Sequence, residues 1–383
     1  MNERAKLALA FVGGASIVTA IWNAARLPFD KGPFLVWFAL SILSITTLIV
    51  TFEVSVRNIQ RLAGVTLLLT GLLIGLGVSS DVAFGKSNIL DVLNRHGELG
   101  VICVGAALLI ITGGIDLSVG SLMGFSAIAF GILMEAHISP WLALVAVLAF
   151  GLLAGIGHGL LVTQLRLQAF LVTLCGMFVY RGLARTICKG QTGIQTVSTA
   201  SGPDFKATLL DLRYWLTGQN LEERLVFPAQ LVVLLTLAAI TAVFLHRSAF
   251  GRYWYAIGFN PQAARYAGVN VSLHQIAMFA VCSTLAAFAG IIMFLTNSVS
   301  PSSAGEVYEL YAITAVVLGG VSLRGGEGTA LGIVFGAMVL PVMRPLMLFT
   351  KCPDEWIPWL IGLILLLGTI ADELIRRRSR VNR

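Results

Sequence analysis

The stretch LIITGGIDLSVGS, residues 109–121, decides the fold of this chain, because it interrupts an apolar run with two glycines and an aspartate. In a bilayer every backbone N–H and C=O group needs a partner, so such a break survives only where protein or a water-filled path surrounds it. An ionisable residue at such a break is a candidate for function. The stretch therefore predicts a membrane-spanning chain in which a polar solute passes close to Asp116.

The composition places the whole chain in a membrane. Of its 383 residues, 57% are hydrophobic and only 12% are charged, whereas soluble domains carry about 25% charged residues. The apolar runs are about 17–24 residues long, which suits spanning helices rather than barrel strands. We therefore expect an all-α polytopic membrane protein with about twelve transmembrane helices. These spans are predicted at roughly 7–24, 34–51, 63–80, 98–114, 119–135, 141–163, 169–187, 228–246, 274–297, 308–322, 329–349 and 356–371.

The distribution of charge predicts the orientation, because Lys and Arg are enriched in cytoplasmic loops. The segments placed inside carry Arg4, Lys6, Arg57, Arg61, Arg166, Arg247, Arg252, Arg265, Arg324 and the arginine-rich tail at 376–380. The short loops placed outside carry Asp30, Asp81, Asp91, Glu98, Glu135, Glu306, Glu309, Asp354 and Glu355. An even number of spans then leaves both termini in the cytoplasm. The first apolar run also resembles a signal peptide, but we expect a membrane helix because it continues through Ile21 and Trp22.

Missing motifs argue against several classes of function. The string at 85–87, GKS, lacks the first glycine of a P-loop, since Ser80 stands in its place. The cysteines have no metal-ligand spacing, and no nucleophile–base pair is recognisable. The net charge of +7 lies largely in the tail and does not indicate nucleic-acid binding. Cys188 and Cys352 fall in predicted external loops, where a disulfide between them is one alternative.

Two interpretations of Asp116 are open. It precedes a helix predicted to begin near Leu117, so it is either an N-cap or part of the solute pathway. A second segment, LGGVSLRGGEG at 318–328, also has a twin glycine followed by a polar residue. This likeness indicates either an internal repeat or only the glycine that a helix break requires. The candidate pathway residues are Thr112, Gly113, Gly114, Asp116, Ser118, Gly319, Gly320 and Ser322.

A cytoplasmic segment at 246–271 contains a short predicted helix. Asn260 is a good N-cap, Pro261 fits the first turn, and Gly268 would end the helix. A helix of about two turns is unstable alone, so something must pack against it. The segment is either a connector at the membrane surface or a lever held by a soluble partner.

Three further features of the sequence predict structure or function. His158 lies inside a predicted span, and a hydrogen-bonded packing histidine is favoured there over a proton relay. Gly151, Gly155 and Gly159 recur every four residues, which predicts close helix packing. The long external segment at 188–227 is either a docking surface or a connector.

Four motifs in the same order resemble one family. Residues 112–121 resemble the signature of bacterial ABC importer permeases for ribose, galactose, xylose and autoinducer sugars, within the branched-chain-type permease superfamily. Stretches at 168–182, 251–268 and 317–328 match the same family. Together the motifs span roughly residues 85–372. The chain is therefore identified as similar to a monosaccharide importer permease.

The resemblance implies a set of partners. Two permease chains, identical or paralogous, would form the channel in the lipid of the bacterial inner membrane. Cytoplasmic ABC ATPase subunits would use ATP and magnesium, so this chain would bind no cofactor itself. A periplasmic or lipid-anchored binding protein would deliver the solute, and transport would proceed by alternating access. The coupling residues implied on this chain are Gly258, Asn260, Ala263, Ala264, Arg265 and Gly268.

The chain departs from the family pattern at its start. Residues 1–62 add about two helices to a permease domain of about ten helices at 63–383. In that domain 188–227 is the long external loop and 246–271 is the coupling loop. An ion-gradient-driven secondary transporter is the alternative, but it would need more intramembrane acids or histidines. An intramembrane enzyme has no catalytic constellation to support it.

The topology of the coupling loop can be tested directly. In a background with Cys188 and Cys352 replaced by serine, we expect the Gln262→Cys variant to react with a membrane-impermeant thiol reagent in inside-out vesicles and not in intact cells. Lys206→Cys, in the predicted external segment, should behave in the opposite way. Labelling of the first variant in intact cells would contradict the predicted topology.

Overall fold

The structure, a computed structural model, describes residues 56–80, 83–94, 97–188, 194–195, 203–219, 228–353 and part of 355–370. The described residues are almost entirely helical, so the all-α prediction is confirmed. The helices are α1 (Val56–Ser79), α2 (Lys86–Asn94), α3 (Gly97–Ile111), α4 (Val119–Glu135), α5 (Pro140–Thr163), α6 (Ala169–Ile187), α7 (Pro203–Thr217), α8 (Ala229–Arg247), α9 (Ala249–Phe259), α10 (Pro261–Tyr266), α11 (Val271–Asn297), α12 (Tyr308–Leu318) and α13 (Ala330–Phe349). Two short strands, β1 (Ile194–Gln195) and β2 (Val299–Ser300), pair antiparallel.

Six helices in the described part of the chain are long and apolar enough to cross a bilayer. They are Asn88–Ile111, Pro140–Thr163, Ala169–Ile187, Ala229–Arg247, Val271–Asn297 and Ala330–Phe349. Shorter apolar helices are Gly64–Ser79, Val119–Glu135 and Tyr308–Leu318. The predicted spans at 7–24 and 34–51 lie outside the described residues, and the one at 356–371 is described only in part. The count of about twelve spans therefore stays a prediction.

Some helices were not predicted from the sequence, because they lack a long apolar run. In the predicted external segment, α7 mixes charged and apolar residues along its length. Its Leu212 is buried in a cluster with Phe130 and Phe294, which helps to hold α7 against the membrane helices. In the predicted cytoplasmic segment, α9 is too short to be recognised as a span.

The centre of the fold is the pair of α3 and α11. Every residue of α3 is buried, and α11 packs against α3, α4 and α5. Phe279, Cys282 and Ala286 of α11 belong to the main core cluster together with Ile102 and Leu109 of α3. A helix apolar on all sides is buried on all sides, so this pair forms the axis around which the other helices lie.

The glycine pattern of α5 brings this helix into close contact with α11. A Cβ atom on Gly155 would lie 2.6 Å from the Ala280 Cα atom, and one on Gly159 would lie 2.7 Å from the Ile276 Cα atom. A Cβ on Gly151 would lie 2.6 Å from the Ala287 Cβ atom. Small residues let two helix backbones approach each other, so the prediction of close packing is confirmed.

The cysteines proposed as one disulfide alternative are not bonded. Cys188 is buried at the end of α6 and Cys352 is half-buried after α13, and both are free thiols. Cys188 packs with Ile128 and Ala184 in a small apolar cluster.

Glycine packing in α5 can be tested with a matched pair of substitutions. Gly155→Ala should lower the melting temperature of the purified protein, because its Cβ overlaps the α11 backbone and overpacking costs about 1–3 kcal/mol. Gly157→Ala should leave the melting temperature unchanged or slightly raised, since a Cβ there has open space and alanine favours a helix. Equal melting temperatures for the two variants would contradict the close packing.

Candidate functional site

The first helix break is a glycine C-cap. After α3 ends, Gly113 takes a left-handed conformation with φ 84°. The Gly113 N–H donates to the Ile110 carbonyl at 2.9 Å, and the Gly114 N–H donates to the Leu109 carbonyl at 3.0 Å. These two bonds define a Schellman motif, which satisfies carbonyls that a helix end leaves open.

The second break has the same geometry. Gly320 also has φ 84°, its N–H donates to the Val317 carbonyl at 2.9 Å, and the Val321 N–H donates to the Val316 carbonyl at 3.1 Å. The likeness between the two segments therefore extends to their backbone hydrogen bonds. Each cap requires a left-handed backbone conformation, at Gly113 in the first break and at Gly320 in the second. Glycine adopts this conformation without a steric penalty, which explains why it stands at both positions.

The two breaks meet each other at the end of α9. The Gly326 N–H donates to the Ile111 carbonyl at 2.8 Å, so the second broken segment satisfies a carbonyl at the end of the first broken helix. Gly258 of α9 lies against both groups, because a Cβ atom there would overlap the Ile111 carbonyl oxygen and the Gly326 nitrogen. The Tyr255 hydroxyl donates to the Gly328 carbonyl at 2.7 Å. The predicted coupling segment is thus in direct contact with both breaks.

The short helix α10 forms as the sequence predicts. The Asn260 side chain accepts hydrogen bonds from the Gln262 and Ala263 N–H groups, both at 3.0 Å. Pro261 is the first residue of α10, and Gly268 follows it with φ 86°. The cap, the first turn and the end of this helix are confirmed.

The predicted coupling residues divide into a packed group and an exposed group. Gly258 and Ala264 are buried, and Ala264 packs with Ile257 and Val271. The other four are exposed: Asn260, Ala263, Arg265 and Gly268. One side of α10 therefore anchors it to the protein, while the other side is open to contact.

Asp116 organises a buried polar cluster, but it is not the N-cap of a helix starting near Leu117. The helix begins at Val119 with Ser118 as its N-cap residue. Asp116 Oδ1 accepts from the Ser118 N–H at 2.7 Å and from the Ser118 hydroxyl at 2.6 Å. Asp116 therefore accepts hydrogen bonds from the N-cap residue Ser118, which lies two residues later in the chain. It does not itself occupy the N-cap position.

The cluster extends to two neighbouring helices. Asp116 Oδ2 lies 3.9 Å from His158 Nδ1 on α5, and His158 Nε2 lies 3.1 Å from the Tyr180 hydroxyl on α6. All three side chains are buried. Asp116 Oδ2 and His158 Nδ1 have no hydrogen-bond partner among the described residues. His158 is thus a hydrogen-bonded histidine, as favoured from the sequence, and it also faces the carboxylate.

The structure places the predicted pathway residues in different surroundings. Thr112, Asp116, Ser118 and Ser322 are buried, and Gly319 packs against Gly332 of α13. Partly or fully exposed positions are Gly113, Gly114 and Gly320. The residues belong to two connected breaks, so they are brought together as a region. Their contact with a solute stays a prediction.

Two ion pairs between α6 and the start of α12 were not predicted from the sequence. Arg181 Nη2 lies 3.7 Å from Glu309 Oε1, and Arg185 Nη2 lies 3.3 Å from Glu306 Oε1. The available signal was a pair of arginines four residues apart inside a predicted span. Their acidic partners are more than 120 residues away in sequence, so only the tertiary structure identifies them.

Comparison with known proteins assigns the family. Residues 88–368 match the family described as branched-chain amino acid transport system, permease component. The chain belongs to this family. It is a membrane-spanning permease subunit of the ABC importer type, a transport protein rather than an enzyme.

Similar proteins are import permeases for different solutes. The fructose import permease of Rhizobium meliloti is 32% identical over 297 residues, which cover 77% of this chain and 80% of that protein. The ribose import permease of Escherichia coli K12 is 35% identical over 257 residues, 67% of this chain and 76% of that protein. The autoinducer 2 import system permease of Escherichia coli O9:H4 is 33% identical over 283 residues, 72% of this chain and 76% of that protein. No solved structure shows a match.

Two substitutions separate the hydrogen-bonding role of Asp116 from its negative charge. Asp116→Leu should reduce transport more than Asp116→Asn, because asparagine keeps an oxygen that accepts from Ser118, whereas leucine leaves buried donors unpaired at about 1–3 kcal/mol each. Solute uptake and protein abundance in membranes would be measured for both variants. Equal uptake by the two would remove Asp116 from the site.

Proposed function

We propose that this chain forms the translocation pathway of an ATP-driven importer for a monosaccharide or a sugar-like solute, working by alternating access. The observation that carries the proposal is the contact between the cytoplasmic segment and both helix breaks, at Gly258, Ile111 and Gly326. A force applied to the cytoplasmic segment acts on the breaks without an intervening element. Two packed arrangements of such a contact would provide the two states of the transport cycle.

A cytoplasmic ATPase is the partner proposed for the exposed side of α10. Phe259, the last residue of α9, and Tyr266, the last residue of α10, are 84% and 91% exposed. Aromatic side chains and arginine are enriched where proteins contact each other, and Arg265 is exposed between them. This combination supports docking of a soluble subunit that hydrolyses ATP with magnesium, since this chain has no P-loop.

The solute class is proposed from the relatives. Import permeases for fructose and ribose align with most of this chain, and a permease for autoinducer 2 aligns as well. These solutes are small and rich in hydroxyl groups, so a neutral polyhydroxylated solute is the class that the family supports. A secreted or lipid-anchored binding protein would deliver it, and a second permease chain would complete the channel.

The proposed location is the bacterial inner membrane, with both termini in the cytoplasm. The basic residues of the predicted inner loops support this orientation. The structure gives Arg166, Arg252, Arg265 and Arg324 exposed positions, which is compatible with contact to water or to an anionic membrane surface.

The coupling assignment predicts the effect of reversing one charge. Arg265→Glu should abolish stimulation of the ATPase by loaded binding protein and reduce uptake at least tenfold, because loss of a hot-spot arginine at an interface costs about 2 kcal/mol or more. Arg265→Lys should retain part of both activities, since the positive charge remains. ATPase activity and uptake would be measured in reconstituted vesicles.

Arg166→Glu is the matched control, because Arg166 is an exposed arginine on another predicted cytoplasmic loop. We expect it to retain stimulation of the ATPase. Normal stimulation by Arg265→Glu would contradict the docking assignment. Uptake that proceeds without ATP and without an ATPase would instead support the ion-gradient alternative.

A further inference from the structure

Four charged side chains form a strip along one flank of α6, outside the sites assigned above. The inner pair is Arg181 with Glu309, the first acidic residue of α12, at 3.7 Å. The outer pair is Arg185 with Glu306 at 3.3 Å, and the Arg185 Nη2 group donates a hydrogen bond across it. The pairs are one helical turn apart, because Arg181 and Arg185 are four residues apart on the same helix face.

The inner pair lies within the depth of a membrane helix. Arg181 is six residues from the end of α6 at Ile187, which places its backbone about 9 Å inside that end at 1.5 Å per residue. Glu309 lies beside the first turn of α4, because a Cβ atom on Gly120, the second residue of α4, would overlap the Glu309 carboxylate. The pair is therefore in the spanning region and not in an external loop.

Exposure distinguishes the two pairs and the two faces of α6. The side chains of Glu309 and Arg181 are 9% and 22% exposed, while those of Glu306 and Arg185 are 39% and 63% exposed. On the opposite face, Val179 and Leu183 present large apolar surfaces. Charged groups in spanning segments face protein or water-filled cavities rather than lipid. The apolar face is suited to lipid, whereas the charged strip requires water or polar contacts.

The inner pair also retains unused capacity for hydrogen bonds. Arg181 Nη2 and Glu309 Oε2 are buried and have no hydrogen-bond partner among the described residues. The guanidinium offers donors and the carboxylate offers acceptors. Neighbouring hydroxyl groups of a polyhydroxylated solute both donate and accept hydrogen bonds, so they complement this pair of groups.

We propose that the strip lines the outer half of the solute route, with Arg181 and Glu309 binding hydroxyl groups of the solute and Arg185 and Glu306 marking the mouth. This assignment rests on the proposed transport function and names a binding surface within it. The solute is a neutral compound with adjacent hydroxyl groups, because paired opposite charges satisfy such groups without favouring a net charge.

Accessibility of cysteine variants to a charged, membrane-impermeant thiol reagent tests the proposal. The variants Met177→Cys and Arg181→Cys would be made in a background with Cys175 and Cys352 replaced by serine, and studied in the full complex in proteoliposomes. Met177 lies one turn inward from Arg181 on the same flank of α6. It therefore tests the water path even where loss of the arginine prevents assembly.

Leu183→Cys is the matched control, because Leu183 is 42% exposed at nearly the same depth on another face of α6. We expect reagent added outside to label the Met177 and Arg181 variants at least tenfold faster than the Leu183 variant. Ribose or fructose, added with the binding protein that carries it, should slow the labelling of the first two variants. Equal labelling of the three variants, or no labelling of the Met177 variant, would overturn the proposal.

Uptake by charge-neutral variants provides the second measurement. Glu309→Gln should reduce uptake about tenfold, the effect of losing one charge-assisted hydrogen bond. Glu135→Gln should change uptake less than twofold, because Glu135 is an exposed carboxylate at the end of α4 and does not belong to the strip. Equal uptake by these two variants would refute binding by the inner pair.

The same vesicles separate this inference from the proposed function. ATP-dependent uptake by the unmodified chain, with no difference in labelling between flanks, would refute the strip and retain the importer. Uptake that needs neither ATP nor the ATPase would refute the importer, whatever the labelling shows.

Discussion

The structure depends on keeping every backbone group hydrogen-bonded where membrane helices are interrupted. Helix α3 ends inside the protein, and its last carbonyls have no partners within the helix. Gly113 and Gly114 satisfy two of them through a Schellman motif, and the N–H of Gly326 reaches across to satisfy Ile111. A carbonyl left open at the first helix break is therefore satisfied by an N–H group of the second broken segment. This requirement ties two distant parts of the chain into one region.

The same region is joined to α9 and α10 by glycine packing. Gly258 fits between the Ile111 carbonyl and the Gly326 N–H only because it has no Cβ atom. The backbone of α9 therefore touches both breaks directly, and α10 continues from α9 with only Asn260 between them. Closely packed contacts of this kind shift between discrete arrangements rather than deform gradually, which is the property that a transmission element of a transporter needs.

Several buried charged side chains in the described part of the protein lie in clusters. Asp116, His158 and Tyr180 share one cluster, and Arg181 with Glu309 begins a second cluster one residue further along α6. Such groups are costly in a membrane unless they are paired. Helix α6 thus carries paired charges on one flank and the apolar side chains of Val179 and Leu183 on the opposite face.

The sequence by itself determined the membrane class, most helix positions and the cap of α10, because apolar runs, Asn260, Pro261 and Gly268 act over a few residues. It also determined the family, through motifs that keep their order along the chain. Only the tertiary structure decided that helix α4 begins at Val119 instead of near Leu117, that α7 packs into an apolar cluster, and that Arg181 and Arg185 find acidic partners. The physical reason is range: capping and hydropathy are local, whereas the pairing of buried charges and the fit of Gly258 depend on segments that meet only after folding.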